Sequence, residues 1–459
     1  MHLIDSSTEI QLHIELAIDG LLLNHRGGLP ATKLLGLAQH MRKAWEELDP
    51  RWHWNIPCDT RRRLTYEVYG ILAYMLQHDD SDGFRGITYQ ELVPLELKKE
   101  PWGQEWKDIG FIAVDFSYNL HDDVQIFMEP RENGSVRRMH FRTISTNRPH
   151  PRASKPYMDI EQSDCPIWES CKTVAYENYI AMLFMDWEGP SQCGAAMIID
   201  WKTASTPLPY IRATDLAFAS KDTVILMLNE EEGVGPVLGV YSLPESRLLF
   251  RCLLPFHARA MIALFLTNPA SHFGDICPAT HAKRFIADPE VRIIGMIFRT
   301  WSNNEMYGAR FETHLAALSV QRLLRNCARH SPRSGEVTLQ WNDWGPSVTR
   351  WLPSTNFTYV GFRSTFGSRM LAVMTDPKHP GIANSLAVLD FNPRPILRGY
   401  RDRDTEHYVT KVLPRSSEFK MRDTGTMIES HLPARVTALP GTIPFQSAFM
   451  DGTTFIGSL

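Results

Sequence analysis

The sequence predicts a mostly β protein that begins with a short pair of helices. In the first 50 residues the apolar side chains recur at helical spacing, whereas from about residue 60 they alternate with a period of two. A long series of short strands then follows at roughly 10-residue spacing. Such a series is typical of a β-propeller, here of about six to eight blades. A pair of β-sandwiches is the alternative that the same pattern leaves open.

Residues 1–50 are expected to form the helical pair. Ser6, followed three residues later by Glu9, matches a capping box at the start of the first helix, and a second helix is predicted across Thr32–Leu48. Another part of the chain, or a partner, must cover the apolar side of this pair. The apolar stripes are Ile10, Ile14, Ala17, Ile18 and Leu21 in the first helix, and Leu35, Ala38, Met41 and Trp45 in the second.

Residues 51–459 are expected to form one large β domain, without a comparable run of helices. Leu64, Tyr66 and Val68 begin the alternation, and Glu132-Asn133-Gly134 has the chemistry of a hairpin turn. Further strands are predicted at Ile109–Val114, Val124–Met128, Val136–Ile144, Thr173–Met185, Ala195–Trp201, Asp215–Phe218, Thr223–Leu228, Val237–Leu243, Val291–Phe298, Leu315–Val320, Tyr359–Arg363, Met370–Met374 and Leu386–Phe391.

Two of these segments look like copies of one unit. Ala195–Ser205 and Ser385–Pro395 both run from small and apolar residues to an aspartate, an aromatic residue and a turn, and Val237–Phe250 is a looser relative. A unit that recurs through a long β chain is typical of a propeller, in which each blade repeats the same strands.

Composition narrows the classes of function. The formal net charge is −4, with 48 Lys and Arg against 52 Asp and Glu, so a general nucleic-acid binder is not expected. The seven cysteines form no CxxC pair, which indicates a reducing compartment. Neither a signal peptide nor a membrane span is evident. The chain is therefore expected in the cytoplasm or nucleus, away from membranes.

Candidate chemical sites are weak, and no catalytic, cofactor-binding or metal-binding residue is predicted. Asp122 and Asp123 are paired carboxylates in a turn, where acidic clusters are usually solvated. The other candidates match no known site and are interpreted as ordinary loop residues. They are Ser364 in GFRSTFG, the glycines Gly233, Gly235 and Gly239, and the set His272, Cys277 and His281.

A tryptophan-rich segment, Gln340–Trp351, is predicted to end a strand beside a turn. Tryptophan at strand ends usually packs between sheets, and we expect core packing for at least one of these rings. Exposed Trp and Arg side chains on a propeller rim are also typical binding hot spots. The possible partner-binding rim consists of Trp341, Trp344, Arg350, Trp351 and Arg363.

The order of these segments resembles the F-box proteins of mushroom-forming fungi (Agaricomycetes). The helical opening IDSSTEIQLHIELAIDGL resembles the segment directly after the F-box, and LLGLAQHMRKAWEELD resembles the helix that follows it. The segments TYEVYGILAYML, FSYNLHDDVQIFMEP, MHFRTISTNRPHP, AMIIDWKTA, NDWGPSVTRW, GFRSTFGSRML and LAVLDFNP then appear in the family's order.

The resemblance implies a substrate-recognition domain of a cullin ubiquitin ligase. In that family the F-box binds a Skp-type adaptor, and the C-terminal region recognises a protein substrate. The F-box itself is missing ahead of Ile4, so direct adaptor binding is not expected. The expected function is non-enzymatic recognition of an unknown protein, without a cofactor. There are two alternatives: a propeller-type hydrolase or lyase, and a truncated relic of an F-box gene.

Overall fold

In the part of the chain that the computed structural model describes, two packed helices are followed by six mainly antiparallel sheets of four or more strands, two of which share a strand. The α-helices that follow residue 50 are short, so the fold is mostly β, as predicted. The structure describes residues 6–24, 29–47, 62–68, 71–77, 83–91, 103–161, 170–185, 194–229, 235–255, 261–265, 285–302, 310–330, 335–352, 357–358, 364–375, 384–398, 402–404, 409–413, 416–421, 425–438, 447–450 and 455–458.

Helices α1 (Thr8–Ile18) and α2 (Ala31–Glu47) confirm the predicted helical pair. The capping residue is Ser7 rather than Ser6: its hydroxyl accepts a hydrogen bond from the Ile10 N–H at 3.4 Å. The two helices share an apolar core whose buried members are Leu12, Leu16, Leu21, Leu34 and Ala38.

The first two sheets are antiparallel meanders, in which each strand pairs with the next one in the chain. The first sheet contains Arg62–Val68, Ile71–Gln77, Phe84–Glu91 and Gly103–Trp106. The second sheet contains Asp115–Asn119, Val124–Arg131, Val136–Thr143 and Tyr157–Glu161. The predicted turn joins two strands of the second sheet as a single 3₁₀ turn, Glu132–Gly134.

The third and fourth sheets share one long strand, Ser205–Ser220, whose first half closes one sheet and whose second half opens the next. The third sheet also contains Ser170–Tyr176, Tyr179–Met185 and Gly194–Asp200. The fourth sheet continues with Thr223–Asn229, Pro236–Ser242 and Arg247–Leu253. Val337–Leu339 adds a parallel strand at its edge, which completes an eight-stranded sheet.

The fifth and sixth sheets carry insertions. The fifth contains Met261–Phe265, Ile293–Ser302, Arg310–Ser319 and Thr349–Leu352. The 3₁₀ turn Pro289–Val291 lies directly before the second of these strands. Helices α3 (Val320–Arg329) and α4 (Trp341–Val348) lie between its last two strands. The sixth contains Phe357–Thr358, Thr365–Phe366, Arg369–Thr375, Asn384–Asp390 and Arg435–Ala438, extended by Val409–Val412 and Arg403–Asp404.

The remaining elements are short. Helix α5 (Pro393–Leu397) follows the strand Asn384–Asp390 of the sixth sheet. Three two-stranded pairs complete the described part of the fold: Leu21–Leu23 with Phe285–Ala287, Ser417–Lys420 with Met427–Ser430, and Ser447–Met450 with Phe455–Ser458.

Apolar clusters lie between sheets that are consecutive in the chain, so the sheets stack face to face in sequence order. Ile180 and Ala181, neighbours on one strand of the third sheet, point to opposite faces and enter different clusters. The middle sheets therefore bury both faces. Cluster members from successive sheets are Tyr89 and Phe116, Ile126 and Ile180, Ala181 and Leu226, Ile225 and Met296, and Ile297 and Leu389.

Two local predictions were wrong. Ile109–Val114 is not a strand, because the side chain of Asp108 accepts the N–H of Gly110 at 2.7 Å and Gly110 takes a φ of 90°. Ile109, Phe111 and Ala113 of this segment still pack in the core between the first two sheets. The segment Gln340–Trp351 is mainly helix α4, since the Asp343 carboxylate accepts the Gln340 N–H at 3.0 Å and caps it. The strand predicted at 359–363 lies outside the described residues.

Buried ion pairs fix the helical pair to the sixth sheet. Arg42 of α2 donates to both carboxylate oxygens of Asp19 at 3.0–3.1 Å and also pairs with Glu15. Arg369 of the sixth sheet lies 3.8 Å from Asp19 and 3.7 Å from Asp390. Burial raises the pKa of Asp19, so desolvation outweighs these cations for that carboxyl.

Backbone contacts reinforce this junction. The Asn392 amide donates to the Ile18 carbonyl at 2.7 Å, and Arg394 donates to the Ala17 carbonyl at 2.8 Å. The Asp288 N–H donates to the Gly20 carbonyl at 2.8 Å. The helical pair and the sixth sheet are therefore joined by polar contacts from several separate segments.

Candidate functional site at the turns of the second and third sheets

One hydrogen bond recurs in five of the described sheets and sets where their turns lie. In the second, third and fourth sheets, the first residue after the third strand donates its N–H to a carbonyl in the turn between the first two strands. In the fifth sheet the acceptor lies in the connection that leads into the second strand. In the sixth sheet the residue after Asn384–Asp390 donates to the turn that precedes Arg369–Thr375. The donor–acceptor pairs are Ile144 to Asp123, Trp201 to Asn178, Leu243 to Asp222, Val320 to Arg292 and Phe391 to Ser368, at 2.9–3.1 Å. Both turns of each sheet are thus held at the same end of that sheet. The units at Ala195–Ser205, Val237–Phe250 and Ser385–Pro395 contain three of these donors.

Asp122 and Asp123, in the turn between the first two strands of the second sheet, both use their carboxylates for contacts that stabilise the fold. Asp123 takes a φ of 56°, and its carboxylate accepts the N–H and hydroxyl of Ser145. Asp122 is only 6% exposed, which contradicts the expectation of a solvated acidic pair. One oxygen of Asp122 pairs with Arg152 and lies 3.8 Å from Lys202, while the other has no hydrogen-bond partner among the described residues.

The loop of residues 145–156, which leads into the last strand of the second sheet, is held by its own backbone. The Thr143 N–H donates to the Arg148 carbonyl at 2.9 Å, and the His150 N–H donates to the Phe141 carbonyl at 2.9 Å. The Phe141 N–H donates to the Pro156 carbonyl at 3.0 Å. These bonds fix both ends and the middle of the loop to the third strand.

His150 is a buried structural residue in this loop. Its Nδ1 accepts the Arg152 N–H at 3.2 Å, so the proton resides on Nε2, which donates to the Asp122 carbonyl at 2.9 Å. The ring meets the indole of Trp201 edge-on, with centroids 4.8 Å apart. Burial lowers the pKa of His150, which favours this neutral tautomer.

Trp201 supports the cations that join the two sheets. The indole is fully buried and donates its N–H to the Glu177 carbonyl at 2.9 Å. Lys202 lies 5.2 Å from the ring centroid, and the Arg152 guanidinium lies 5.8 Å from it. The Ser154 N–H also donates to the Lys202 carbonyl at 2.9 Å, which ties the loop to the third sheet.

The outer face of this arrangement is basic. Arg148, Arg152 and Lys155 are exposed, and Lys202 is half-buried beside them. We call these four side chains the basic loop surface. A rigid set of cations on two linked sheets can bind an anionic group by charge-assisted hydrogen bonds. This surface was not predicted from the sequence, although segment 135–156 holds six Lys and Arg and no Asp or Glu.

The predicted rim around the tryptophans is mostly core. Trp344, Arg350 and Trp351 are 0%, 3% and 1% exposed, so the expectation that they face a partner is wrong for these three. Trp344 donates its N–H to the Leu253 carbonyl at 3.1 Å. Burial lowers the pKa of Arg350, whose guanidinium donates to the Leu432 carbonyl at 3.4 Å.

Trp341 is half-buried and completes the tryptophan cluster instead of standing apart from it. Its ring meets Trp344 and Trp351 edge-on, with centroids 5.1 and 6.4 Å apart. Core packing, predicted for at least one of the three rings, is confirmed for Trp344 and Trp351. Arg363 lies outside the described residues.

The other sequence candidates do not converge on a site. Ser364 is fully buried at the start of a short strand of the sixth sheet. Gly233, His272, Cys277 and His281 lie outside the described residues. Within the part of the chain that the structure describes, no group of three His, Cys, Asp or Glu side chains could hold a metal ion. Among the described helices, none is long and apolar enough to cross a membrane.

Comparisons with known proteins give only distant likenesses. No family model and no curated protein matches the chain. The hydrazine synthase of Kuenenia stuttgartiensis aligns with a TM-score of 0.37 and 10% identity, over 72% of this chain and 76% of its own. An oligogalacturonate lyase in complex with manganese gives 0.26 and 10%, over 82% and 96%. An exo-β-1,3-galactanase from Phanerochaete chrysosporium gives 0.23 and 8%, over 81% and 75%. At these TM-scores the likenesses support no conclusion about function.

Proposed function

We propose that this chain is a non-enzymatic protein-recognition module whose four-stranded sheets are the blades of a propeller. The stacking of the sheets supports the propeller. In a pair of sandwiches each sheet has one solvated face, whereas here the middle sheets bury both faces against their sequence neighbours.

Side-chain bonds between the first strands of successive sheets support the same arrangement. Asp115 of the second sheet accepts the N–H of Thr173 of the third at 2.7 Å. Asp215 of the fourth sheet accepts the N–H of Phe265 of the fifth at 2.8 Å. First strands that contact each other in this way are expected around the axis of a propeller, where the blades converge.

The observation that carries the recognition function is the basic loop surface. It lies on backbone that is hydrogen-bonded to two sheets, so its side chains are presented without a large cost in ordering the loop on binding. Binding residues are often located on loops that a rigid scaffold positions. The resemblance to fungal F-box proteins supports a role as a receptor for protein substrates, in the cytoplasm or nucleus.

The fixed helical pair supports the same proposal. Because α1 and α2 are tied to the sixth sheet by ion pairs and backbone bonds, a partner held at the helices would have a fixed orientation relative to the β domain. In the family that the sequence resembles, the corresponding helices lie between the adaptor-binding F-box and the substrate-binding region.

The test is affinity purification of the tagged 459-residue chain from fungal lysate, with quantitative mass spectrometry of the bound proteins. We expect a small set of proteins to be enriched, and the Skp adaptor is quantified separately among them. A matched bait with Arg148→Glu and Lys155→Glu identifies the partners that use the basic loop surface. Turnover of a small molecule that a single substitution abolishes would refute the proposal.

A further inference from the structure

We infer that the basic loop surface binds an acidic segment of a partner protein. This inference rests on the proposed recognition function and names the chemistry of the partner. The surface consists of Arg148, Arg152, Lys155 and Lys202, as defined above. Its ligand is an extended stretch of Asp or Glu side chains, which presents several carboxylate groups along one chain.

Positive charge is concentrated in the loop that carries this surface. The chain as a whole has a net charge of −4, yet segment 135–156 contains six Lys and Arg and no Asp or Glu. Over residues 115–161 of the second sheet, seven Lys and Arg are balanced by seven Asp and Glu, so the excess of positive charge is confined to the loop of residues 145–156, which has three cations and no carboxylate. Such a loop attracts anionic partners and repels cationic ones. Arg138 in this segment is paired with Asp159 at 2.7 Å, Arg137 is buried, and Arg142 donates to the Ile109 carbonyl at 2.8 Å. The exposed charge of the segment therefore lies on the loop.

The cationic side chains of the surface are accessible to a ligand. Arg148 and Lys155 are exposed, and neither forms an ion pair with any described residue. Arg152 and Lys202 share a single carboxylate, Asp122, which is buried beneath them. The surface therefore carries four cationic side chains against one internal carboxylate, and Arg152 remains about half exposed, with 51% of its side chain accessible.

The geometry favours a peptide over a nucleic acid. Sites for single-stranded nucleic acids combine a basic groove with exposed aromatic rings on which the bases stack. The indole beneath these cations, Trp201, is fully buried and so presents no face to a base. The loop also carries the exposed hydroxyl group of Ser154, which suits a hydrogen bond to a peptide backbone.

The experiment measures binding of fluorescein-labelled peptides to the full chain by anisotropy. One probe alternates Glu with Ser, and its control carries Gln in place of each Glu. We expect tighter binding of the Glu probe, weaker binding as salt is raised, and a loss of roughly tenfold or more in Arg148→Glu/Lys155→Glu. The variant Lys221→Glu/Arg329→Glu makes the same change in net charge at exposed sites elsewhere and should bind as the parent does.

Four results would overturn the inference: no preference for the Glu probe, equal losses in the two variants, tighter binding of single-stranded DNA, or tighter binding of phosphatidylserine vesicles. The outcome is separable from the proposed function. If partners are recovered from lysate equally by parent and Arg148→Glu/Lys155→Glu, the function stands and the acidic-segment inference fails. If the Glu probe binds but no protein partner is recovered, binding of acidic segments by this surface is supported and the proposed recognition function is refuted.

Discussion

Trp201 allows the contact between the second and third sheets to be tested quantitatively. The side chain is fully buried, and it contributes an indole N–H bond of 2.9 Å to the Glu177 carbonyl. Trp201→Phe keeps most of the ring but removes this bond and some volume, which should cost about 2 kcal/mol. Trp201→Ala also leaves a cavity, and large-to-small changes of this kind cost about 3–5 kcal/mol.

Native-state hydrogen exchange with mass spectrometry is the appropriate assay, because a chain of this size need not unfold in one step. We expect the opening free energy of residues 145–156 and 194–201 to fall by these amounts in the two variants. Peptides from the sixth sheet, Asn384–Asp390, serve as the internal control and should change little. Equal effects of Phe and Ala, or losses below about 0.5 kcal/mol in both, would refute the packing described here.

Three further predictions concern other parts of the molecule. Gly36→Ala should stabilise the protein by about 0.5–1 kcal/mol, since a methyl group there meets nothing within 4 Å. Gly345→Ala should destabilise it by about 1–3 kcal/mol, because its Cβ would overlap the ring of Trp341. Denaturant midpoints of the two variants and the parent measure both effects. Burial lowers the pKa of both His140 and His150, so the unfolded chain binds more protons and stability should fall as the pH drops from about 6.5 through their folded pKa values. Replacing both histidines with Gln should flatten this dependence, and an unchanged slope would contradict the assignment. Arg42→Met should speed hydrogen exchange in α1 and α2 by at least tenfold, because breaking a buried ion pair on one side lowers stability by about 3 kcal/mol. Exchange at the parent rate would show that these ion pairs do not hold the two helices together.

Much of the fold could be predicted because its signals are local. Helices α1 and α2 follow from apolar residues at helical spacing, and Ala195–Trp201 and Leu386–Phe391 follow from apolar runs that end in a turn. Helix α4 was missed, because Gly345-Pro346 reads as a turn and the helix depends on a cap and on packing against distant strands.

The site was harder to predict because its contacts join distant positions. Asp122 and Lys202 are 80 residues apart in sequence, and nothing near either residue specifies the other. Arg350 was expected at the surface, since arginine is rarely buried, but it lies on a strand whose neighbours cover it. By contrast, the excess of Lys and Arg in segment 135–156 was visible in the sequence alone.

The face-to-face stacking of successive sheets makes the β domain nearly one-dimensional. Each apolar cluster draws on two sheets that are adjacent in the chain, so a sheet depends directly on one neighbour before it and one after it. In arrays of this kind, stability is close to a sum of unit and nearest-neighbour contributions, and an opening event spreads outward step by step. A destabilising substitution at Trp201 should therefore lower the opening free energy of the second and third sheets before that of the others. Surface residues on more distant sheets can then vary, and acquire new binding specificities, without weakening the basic loop surface.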